Sequence, residues 1–264
     1  MHPFFNTLKD LVNHFFSSTP AKQPPVAVVA PVVHKPYEDP KPPIKKVAVI
    51  GAGVMGAGIA AQFANAGIDV VLLDKNPDEP QKAINRLLQA TPEKDLMNAG
   101  LMHKSHAKRI TIGNTDGNMN MIADADWIIE VVPEVLSIKH ATFRAIDQHR
   151  KPGSIVSSNT STIPLATMAE GMSESFRKDF MITHFFNPVR FMDLLELVVG
   201  PETSKEAADL VKRVGDVHLG KKVVVSNDTP GFIGNRIGTF MIQRALAEAM
   251  DNNLEIEEVD AALG

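Results

Sequence analysis

A glycine-rich segment near residue 50 has the spacing of a loop that holds a dinucleotide. It reads Gly51-Ala52-Gly53-Val54-Met55-Gly56, a G-x-G-x-x-G pattern. In such a loop the first glycine permits a tight turn, the second lets the backbone approach a pyrophosphate, and the third lets helix and strand pack closely. The free N–H groups at the start of the following helix would face the phosphates. Because short glycine patterns arise by chance, the motif is specific only between a strand and a helix.

An acidic residue stands where the same kind of site needs one. Asp74 ends the apolar run Val70–Leu73 and lies 23 residues after Gly51. A carboxylate at this point can accept hydrogen bonds from the adenosine ribose and would repel a 2′-phosphate. The sequence therefore predicts NAD as the cofactor rather than NADP, although Lys75 weakens this preference slightly. FAD stays open as an alternative because FAD-binding proteins share the glycine pattern.

Among the nine histidines, His184 has the position that suits proton transfer. It follows the apolar run Met181–Thr183, and open α/β sheets bind ligands beyond the carboxyl ends of their strands. An imidazole titrates near pH 6.5, so it can take a proton from a hydroxyl group while a nicotinamide accepts hydride from the carbon. A histidine after a strand is, by itself, more often structural. The other histidines show no metal-ligand spacing, and no metal site is predicted.

The hydrophobic pattern predicts the elements that would hold these residues. Apolar runs at Val47–Ile50 and Val70–Leu73 flank the glycine turn and a helical stretch that Gly67 ends, which makes a β-α-β unit. Further segments follow, with strands at Ile110–Ile112, Trp127–Val132, Ile155–Ser157 and Met181–Thr183, and helices at Pro80–Leu101 (interrupted by Pro92) and His140–Gln148. This alternation predicts an α/β fold of the Rossmann type, with a doubly wound, mostly parallel sheet.

Composition excludes several classes of function for the 264-residue chain. It has a formal net charge of −4 and no cysteine, which argues against nucleic acid as a partner and excludes disulfides and thiol chemistry. No run of apolar residues is long enough to span a membrane. The absence of cysteine suits a reducing compartment, and a cytoplasmic location is predicted.

The two ends of the chain differ from its middle. Residues 1–18 carry apolar side chains at helical spacing and predict an amphipathic helix, either docking to a partner or membrane surface or packed on its own domain. Residues 19–43 are rich in proline and predict an extended linker. The dinucleotide-binding domain is expected over 44–226. The remaining residues, 227–264, are predicted to begin a helical C-terminal domain that is incomplete, with helices over Phe232–Met250 and from Ile256.

Four further motifs carry a resemblance to a known family. They are Ser157–Ser161, His184–Pro188, Asp193–Glu196 and Pro230–Arg236. Together with the glycine turn they resemble the NAD-binding domain of the 3-hydroxyacyl-CoA dehydrogenases, found in stand-alone enzymes and in multifunctional fatty-acid oxidation proteins. The resemblance covers about residues 44–264, with the motifs in the family's order.

The resemblance implies a role for each matching position. His184 would be the general base for the substrate hydroxyl, and Glu196 the carboxylate that orients it. Ser161 and Asn235 would hold the substrate oxygen, although each could instead cap a helix, in the case of Ser161 one near Ala166–Gly171. The resemblance also implies contacts to the nicotinamide side of the cofactor from Glu130, Val131, Val132, Asn159, Ser161 and Asn187.

One position departs from the family's pattern. A lysine that helps to bind substrate or cofactor is expected in the helix after Glu130, but Ser137 occupies the expected offset. Lys139 lies two residues further on and is the substitute that we assign to substrate binding.

The implied activity is NAD-dependent oxidation of (3S)-3-hydroxyacyl-CoA to 3-oxoacyl-CoA in fatty-acid β-oxidation. The partners would be an acyl-CoA substrate and either a second copy of the chain or a larger fatty-acid oxidation assembly. Two alternatives stay open, a short-chain 3-hydroxybutyryl-CoA dehydrogenase and an NAD-binding assembly module whose catalysis is lost or depends on a partner. The sequence does not indicate the length of the acyl chain.

Overall fold

The computed structural model describes residues 41–263, which divide into one unit over Lys41–Ile237 and a second that begins at Gly238. The division falls within a helix, Gly234–Asp251, whereas the boundary expected from the sequence stands at residue 226. The predicted N-terminal helix and nearly all of the proline-rich linker lie outside the described residues. Within 41–263, no helix is both long enough and apolar enough to cross a lipid bilayer.

Eight strands form a single sheet in the larger unit. They are β1 (Lys46–Ile50), β2 (Asp69–Asp74), β3 (Ile110–Asn114), β4 (Trp127–Glu130), β5 (Ile155–Ser158), β6 (Phe180–Phe185), β7 (Leu194–Val199) and β8 (Lys222–Ser226). The order across the sheet is β3-β2-β1-β4-β5-β6-β7-β8. Strands β1 to β6 run parallel, β7 pairs antiparallel with β6, and β8 is parallel to β7. The predicted Rossmann-type, mostly parallel sheet is confirmed.

Helices lie between the strands in the chain and after the last of them. They are α1 (Val54–Asn65), α2 (Glu79–Gln89), α3 (Thr115–Asn118), α4 (Leu136–His149), α5 (Leu165–Ala169), α6 (Glu174–Asp179), α7 (Lys205–Arg213), α8 (Gly234–Asp251) and α9 (Ile256–Leu263). Short 3-10 turns lie at Lys104–Arg109 and Met119–Ile122, and a π-helical turn at Val214–His218. Both helices predicted near the C-terminus are present.

One predicted helix is wrong over half its length. The sequence pattern extends from Pro80 to Leu101, but α2 ends at Gln89, and Ala90 already has extended backbone angles. The ring of Pro92 disfavours helical geometry at the residue before it and removes a backbone donor. The segment after Ala90 therefore forms turns instead of a helix.

The parallel register gathers the carboxyl ends of several strands at one edge of the sheet. Ile50 at the end of β1 pairs with Glu130 at the end of β4, which pairs in turn with Ser158 at the end of β5. Apolar side chains pack on both faces of the sheet; Trp127 is fully buried, with its ring edge-on to Phe63 at 5.3 Å. This core fixes the strand ends, and the loops that follow them form the candidate site.

Candidate functional site

A cleft of about 1320 Å³ runs along the carboxyl ends of the central strands. Its walls include the glycine turn after β1, the end of β2, the β4–α4 connection and the loop after β5. Most of the residues that the sequence assigns to cofactor binding line it, namely Gly51, Gly53, Met55, Gly56, Asp74, Val131, Val132, Asn159 and Ser161. One cleft thus collects residues from positions more than a hundred apart in the sequence.

The glycine turn leaves the start of α1 open to this cleft. Gly51 has φ of 113°, and a Cβ there would lie 2.4 Å from the carbonyl oxygen of Val131. A Cβ on Gly56 would lie 1.8 Å from the carbonyl oxygen of Gly51. Among the described residues, a Cβ on Gly53 would meet no atom within 4 Å, and no side chain of residues 41–263 caps α1. The turn is therefore tight on its inner side and open at Gly53, as the approach of a pyrophosphate requires.

Asp74 stands beside this turn with its carboxylate already oriented. One oxygen accepts the N–H of Ala52 at 2.7 Å, and the other accepts the N–H of Asn76 at 2.9 Å. The side chain is only partly buried and lines the cleft. It has lone pairs left for the hydroxyls of a ribose, so the residues of this end fit the adenosine half of a dinucleotide.

His184 and Glu196 are brought together by the antiparallel pairing of β6 with β7. They are direct register partners, and His184 Nδ1 lies 2.7 Å from Glu196 Oε2. The second carboxylate oxygen accepts the N–H groups of Ile233 and Gly234, each at 2.8 Å, at the beginning of α8. Glu196 is fully buried and His184 nearly so, at 4% exposure. The carboxylate is thus fixed at both oxygens and cannot turn away from the imidazole.

The other ring nitrogen of His184 faces the cleft side. Its Nε2 lies 3.1 Å from the hydroxyl oxygen of Ser161, and Ser161 lines the cleft. The rings of Phe186 and Phe232 contact the imidazole edge-on, with centroids at 4.5 and 5.4 Å. With Nδ1–H donated to Glu196, Nε2 keeps its lone pair and can exchange a proton with a group beside Ser161.

An ion-pair network centred on the buried Lys139 and Glu130 lies at the β4–α4 connection. The ammonium of Lys139 contacts both oxygens of Glu130 at 2.9 and 3.0 Å, and Glu134 at 3.1 Å. Ser158 also donates its hydroxyl to Glu130. Burial raises the pKa of Glu130 above its usual value, against the opposing effect of the Lys139 ammonium. The network ties the end of β4 to α4 and β5.

Glu134 connects this network to the serine loop. Its carboxylate accepts the Thr160 hydroxyl and the N–H groups of Ser161 and Thr162. Although burial opposes ionisation, these hydrogen bonds and the Lys139 ammonium hold the pKa of Glu134 below its usual value. An ionised Glu134 therefore fixes the loop that places Ser161 against His184.

Comparison with known proteins agrees with this geometry. Residues 46–229 match the sequence profile described as "3-hydroxyacyl-CoA dehydrogenase, NAD binding domain". The chain belongs to the 3-hydroxyacyl-CoA dehydrogenase family. The predicted family, and NAD as its cofactor, are thereby confirmed.

Individual relatives agree with the family assignment. A "Probable 3-hydroxyacyl-CoA dehydrogenase" of Bacillus subtilis is 42% identical over 242 residues, which cover 84% of this chain and 30% of that protein. A protein of the same description from Deinococcus radiodurans is 41% identical and covers 84% of this chain and 64% of its own length. The crystal structure of (S)-3-hydroxybutyryl-CoA dehydrogenase from Ralstonia eutropha superposes with a TM-score of 0.69 at 31% identity, covering 81% of this chain and 75% of that one. The chain spans less than two thirds of both curated relatives.

Of the residues predicted from sequence and not yet placed, Glu130, Asn187 and Asn235 lie outside the lining of the cleft, whereas Lys139 is part of it. Glu130 is fully buried beneath Lys139, so it supports the wall instead of facing the cofactor. Asn187 is exposed, and its amide nitrogen lies 3.2 Å from the sulfur of Met97. Asn235 is half-buried in the first turn of α8. Lys139 lines the cleft, although only 1% of it is exposed.

Glu134 is the residue of this site that sequence reasoning missed. It lies four positions after Glu130, in the turn between a strand end and a helix, where open α/β sheets place ligand contacts. That position was the available signal. The lysine expected after Glu130 concerned the positions of Ser137 and Lys139, whereas Glu134 binds Lys139 directly.

A pair of glycine variants tests whether the turn holds the cofactor. For Gly53→Ala we expect the stability of the parent, because the new methyl meets no atom of the described residues within 4 Å. We also expect a fall in NADH affinity of about tenfold or more, because the methyl occupies the path of the pyrophosphate. For Gly56→Ala we expect a lower melting temperature, because its methyl meets backbone. Fluorescence titration with NADH and thermal melting separate the two effects. Unchanged NADH affinity in Gly53→Ala would contradict the assignment.

Asp74 provides the corresponding test of cofactor preference. For Asp74→Ala we expect NADH to bind about 10- to 100-fold more weakly, since a charged hydrogen-bond acceptor for the ribose is lost, at about 1.5–3 kcal/mol. NADPH should bind to this variant at least as tightly as to the parent, because the repulsion of its 2′-phosphate is removed. The measurement is the ratio of the dissociation constants for NADH and NADPH. The control is Asp78→Ala, which removes an exposed carboxylate after the same strand. A ratio equal to that of the parent would refute the role.

Proposed function

We propose that the chain catalyses the NAD-dependent oxidation of a (3S)-3-hydroxyacyl-CoA to the 3-oxoacyl-CoA in fatty-acid β-oxidation. The observation that carries the proposal is the placement of a buried histidine–carboxylate pair next to the cleft that the glycine turn and Asp74 line. His184 Nδ1 is bound to Glu196 at 2.7 Å, while Nε2 faces Ser161 at 3.1 Å. A secondary alcohol needs a base on its hydroxyl, and this pair supplies one.

The cofactor would be held by the glycine turn and Asp74 at its adenosine end. Val131, Val132 and Asn159 also line the cleft, and we assign them to its nicotinamide end. Bound NAD would supply the acceptor for the hydride that leaves C3. Asn159 is itself fixed, because its side-chain oxygen accepts the N–H of Phe185 at 2.9 Å. That bond ties the nicotinamide end of the cleft to the strand that carries His184.

The proton of the 3-hydroxyl would pass to His184 Nε2. Glu196 stabilises the imidazolium that results, and its two backbone hydrogen bonds keep the carboxylate in place. The Ser161 hydroxyl, already within hydrogen-bond distance of Nε2, would bind the substrate oxygen. Asn235 follows directly after the helix start that binds Glu196, and we assign it to the same oxygen. In the reverse direction His184 returns the proton.

The substrate class follows from the relatives. Two curated relatives carry the description 3-hydroxyacyl-CoA dehydrogenase, and the Ralstonia structure is of an (S)-3-hydroxybutyryl-CoA dehydrogenase. A short 3-hydroxybutyryl-CoA is therefore the alternative substrate, supported by 31% identity and the shared fold. Competition between acyl-CoA esters of increasing length would distinguish the two.

The test is the loss of NADH absorbance when acetoacetyl-CoA is added to the purified chain. We expect turnover that depends on the CoA thioester, with free acetoacetate as the comparison. NADH binding without turnover would contradict the catalytic proposal for this chain. That outcome would instead favour the binding module whose catalysis depends on a partner.

A further inference from the structure

Lys221 is a buried lysine that the proposed chemistry does not use. Only 5% of it is exposed, and it lies between the π-helical turn and β8. Its ammonium donates to the carbonyl oxygen of Val189 and, at 2.8 Å, to that of Met192. Burial lowers the pKa of Lys221, while the Asp193 carboxylate raises it. A desolvated ammonium is costly unless hydrogen bonds compensate it, and here the carbonyl oxygens of one loop supply them.

That loop connects the two strands of the histidine–carboxylate pair. It leaves β6 just after His184 and enters β7 just before Glu196. Within it, the N–H groups of Phe191 and Met192 both bind the carbonyl oxygen of Pro188 at 3.0 Å. The loop is therefore a compact turn, and Lys221 closes it by binding carbonyls at two points three residues apart.

The first residue of the same loop contacts the candidate site. Phe186 packs its ring against the imidazole of His184 at 4.5 Å, and Asn187 follows it. The far side of the loop is also anchored, because Arg190 donates to the carbonyls of Ala99 and Leu101 at 3.3 and 3.1 Å. Movement of the turn would therefore reach the imidazole through Phe186.

We propose that Lys221 is a positioning residue whose ammonium clamps the β6–β7 loop, and thereby holds Phe186 in place beside His184. An apolar side chain of equal length could fill the same space, but it could not bind two carbonyls. The effect on turnover rests on the proposed dehydrogenase function, whereas the clamping of the loop does not.

The first experiment measures the loop without using activity. Lys221→Met keeps the length of the side chain and removes its donors. We expect faster hydrogen–deuterium exchange in peptides covering 186–193, including the amides of Phe191 and Met192. The matched control is Lys222→Met. The Lys222 side chain is 79% exposed and forms a surface ion pair with Asp193. In this control, exchange in the peptides covering 186–193 should equal that of the parent. If exchange in Lys221→Met equalled that in the control variant and in the parent, the proposal would be overturned, whatever the protein catalyses.

The second experiment measures the consequence for chemistry. With acetoacetyl-CoA and NADH, kcat of Lys221→Met should fall about tenfold, because small displacements of positioning groups reduce rates by up to about a hundredfold. The dissociation constant of NADH should change by less than about twofold, since the glycine turn and Asp74 are not touched. A purely structural role would lower the melting temperature and leave kcat of the folded protein unchanged, and that result would overturn the proposal.

A double-mutant cycle tests whether the effect passes through the loop. In a Phe186→Ala background, Lys221→Met should reduce kcat by clearly less than it does in the parent, because coupled residues are not additive. Additive effects would contradict the proposal. Lys221→Gln, whose shorter side chain keeps two N–H donors, is measured in parallel and should show the same changes at smaller size, so that the test stands if Lys221→Met does not fold. A parent protein without turnover would refute the proposed function, while the exchange experiment would still decide the clamp.

Discussion

Replacing His184 with Gln is expected to lower kcat by about 10²–10⁴-fold, the usual contribution of a general acid–base group. The amide keeps a polar atom near Ser161 and Glu196 but cannot take up a proton at neutral pH. Because His184 lies beside the cleft and does not line it, we expect NADH affinity to stay close to that of the parent. Stopped-flow or steady-state NADH oxidation with acetoacetyl-CoA measures kcat, and a fluorescence titration measures NADH affinity.

The control for this variant is His149→Gln, which changes an exposed histidine at the end of α4. It should leave kcat and the melting temperature unchanged. If His184→Gln kept more than about a tenth of the parent kcat, the loss would fall below the range of general-base catalysis, and another residue would have to take the proton. Ser161 and Lys139, which line the cleft, would be the next residues to replace.

The cofactor half of the site was predictable because its signals are local. The glycine turn, the strand before it and Asp74 all lie within one β-α-β unit, where spacing in the sequence corresponds directly to position in space. The structure places the three glycines of the turn and Asp74 along the cleft. Alternating strands and helices were equally sufficient to predict the parallel part of the sheet.

The catalytic half was harder to predict because it depends on contacts between distant segments. No helical or strand period links His184 to Glu196; their contact arises because β7 reverses direction and pairs with β6. The prediction of the sheet did not include β7 or β8, so the carboxylate could be assigned only through the family resemblance. Its second role, accepting the N–H groups at the start of α8, has no sequence signal at all.

Residues that act through other residues were also out of reach of sequence reasoning. Glu130 ends a strand, which predicts contact with a ligand, but the structure buries it against Lys139 and Ser158. Lys221 would be predicted as a surface lysine, because lysine is rarely buried. Only the path of the β6–β7 loop shows why a buried ammonium is tolerated there. A strand-end position thus indicates proximity to the site, and the burial of the side chain decides whether the residue can touch a ligand.

Glu196→Gln is expected to lower kcat by about 10²–10⁴-fold, close to the loss in His184→Gln. The amide oxygen can still accept the N–H groups of Ile233 and Gly234, so α8 should begin at the same place. The amide NH₂ then faces Nδ1 of His184 and can only donate to it. This shifts the proton of the neutral imidazole to Nε2, the nitrogen that must act as the base. The variant would therefore contain a correctly placed histidine in the wrong tautomer.

The tautomer can be observed directly by ¹⁵N NMR of the histidine ring nitrogens, alongside kcat and the melting temperature. We expect Glu196→Gln to move the proton from Nδ1 to Nε2 with little loss of stability. Glu196→Ala should in addition destabilise the fold, by about 1–3 kcal/mol for the buried donors left without a partner. Glu202→Gln, a change to an exposed carboxylate paired with Arg177, serves as the control for loss of charge. A Glu196→Gln variant with the Nε2 tautomer and parental kcat would show that His184 is not the base, because a protonated Nε2 cannot accept the hydroxyl proton. Loss of kcat without a change of tautomer would mean instead that Glu196 acts mainly by stabilising the charge on the imidazolium.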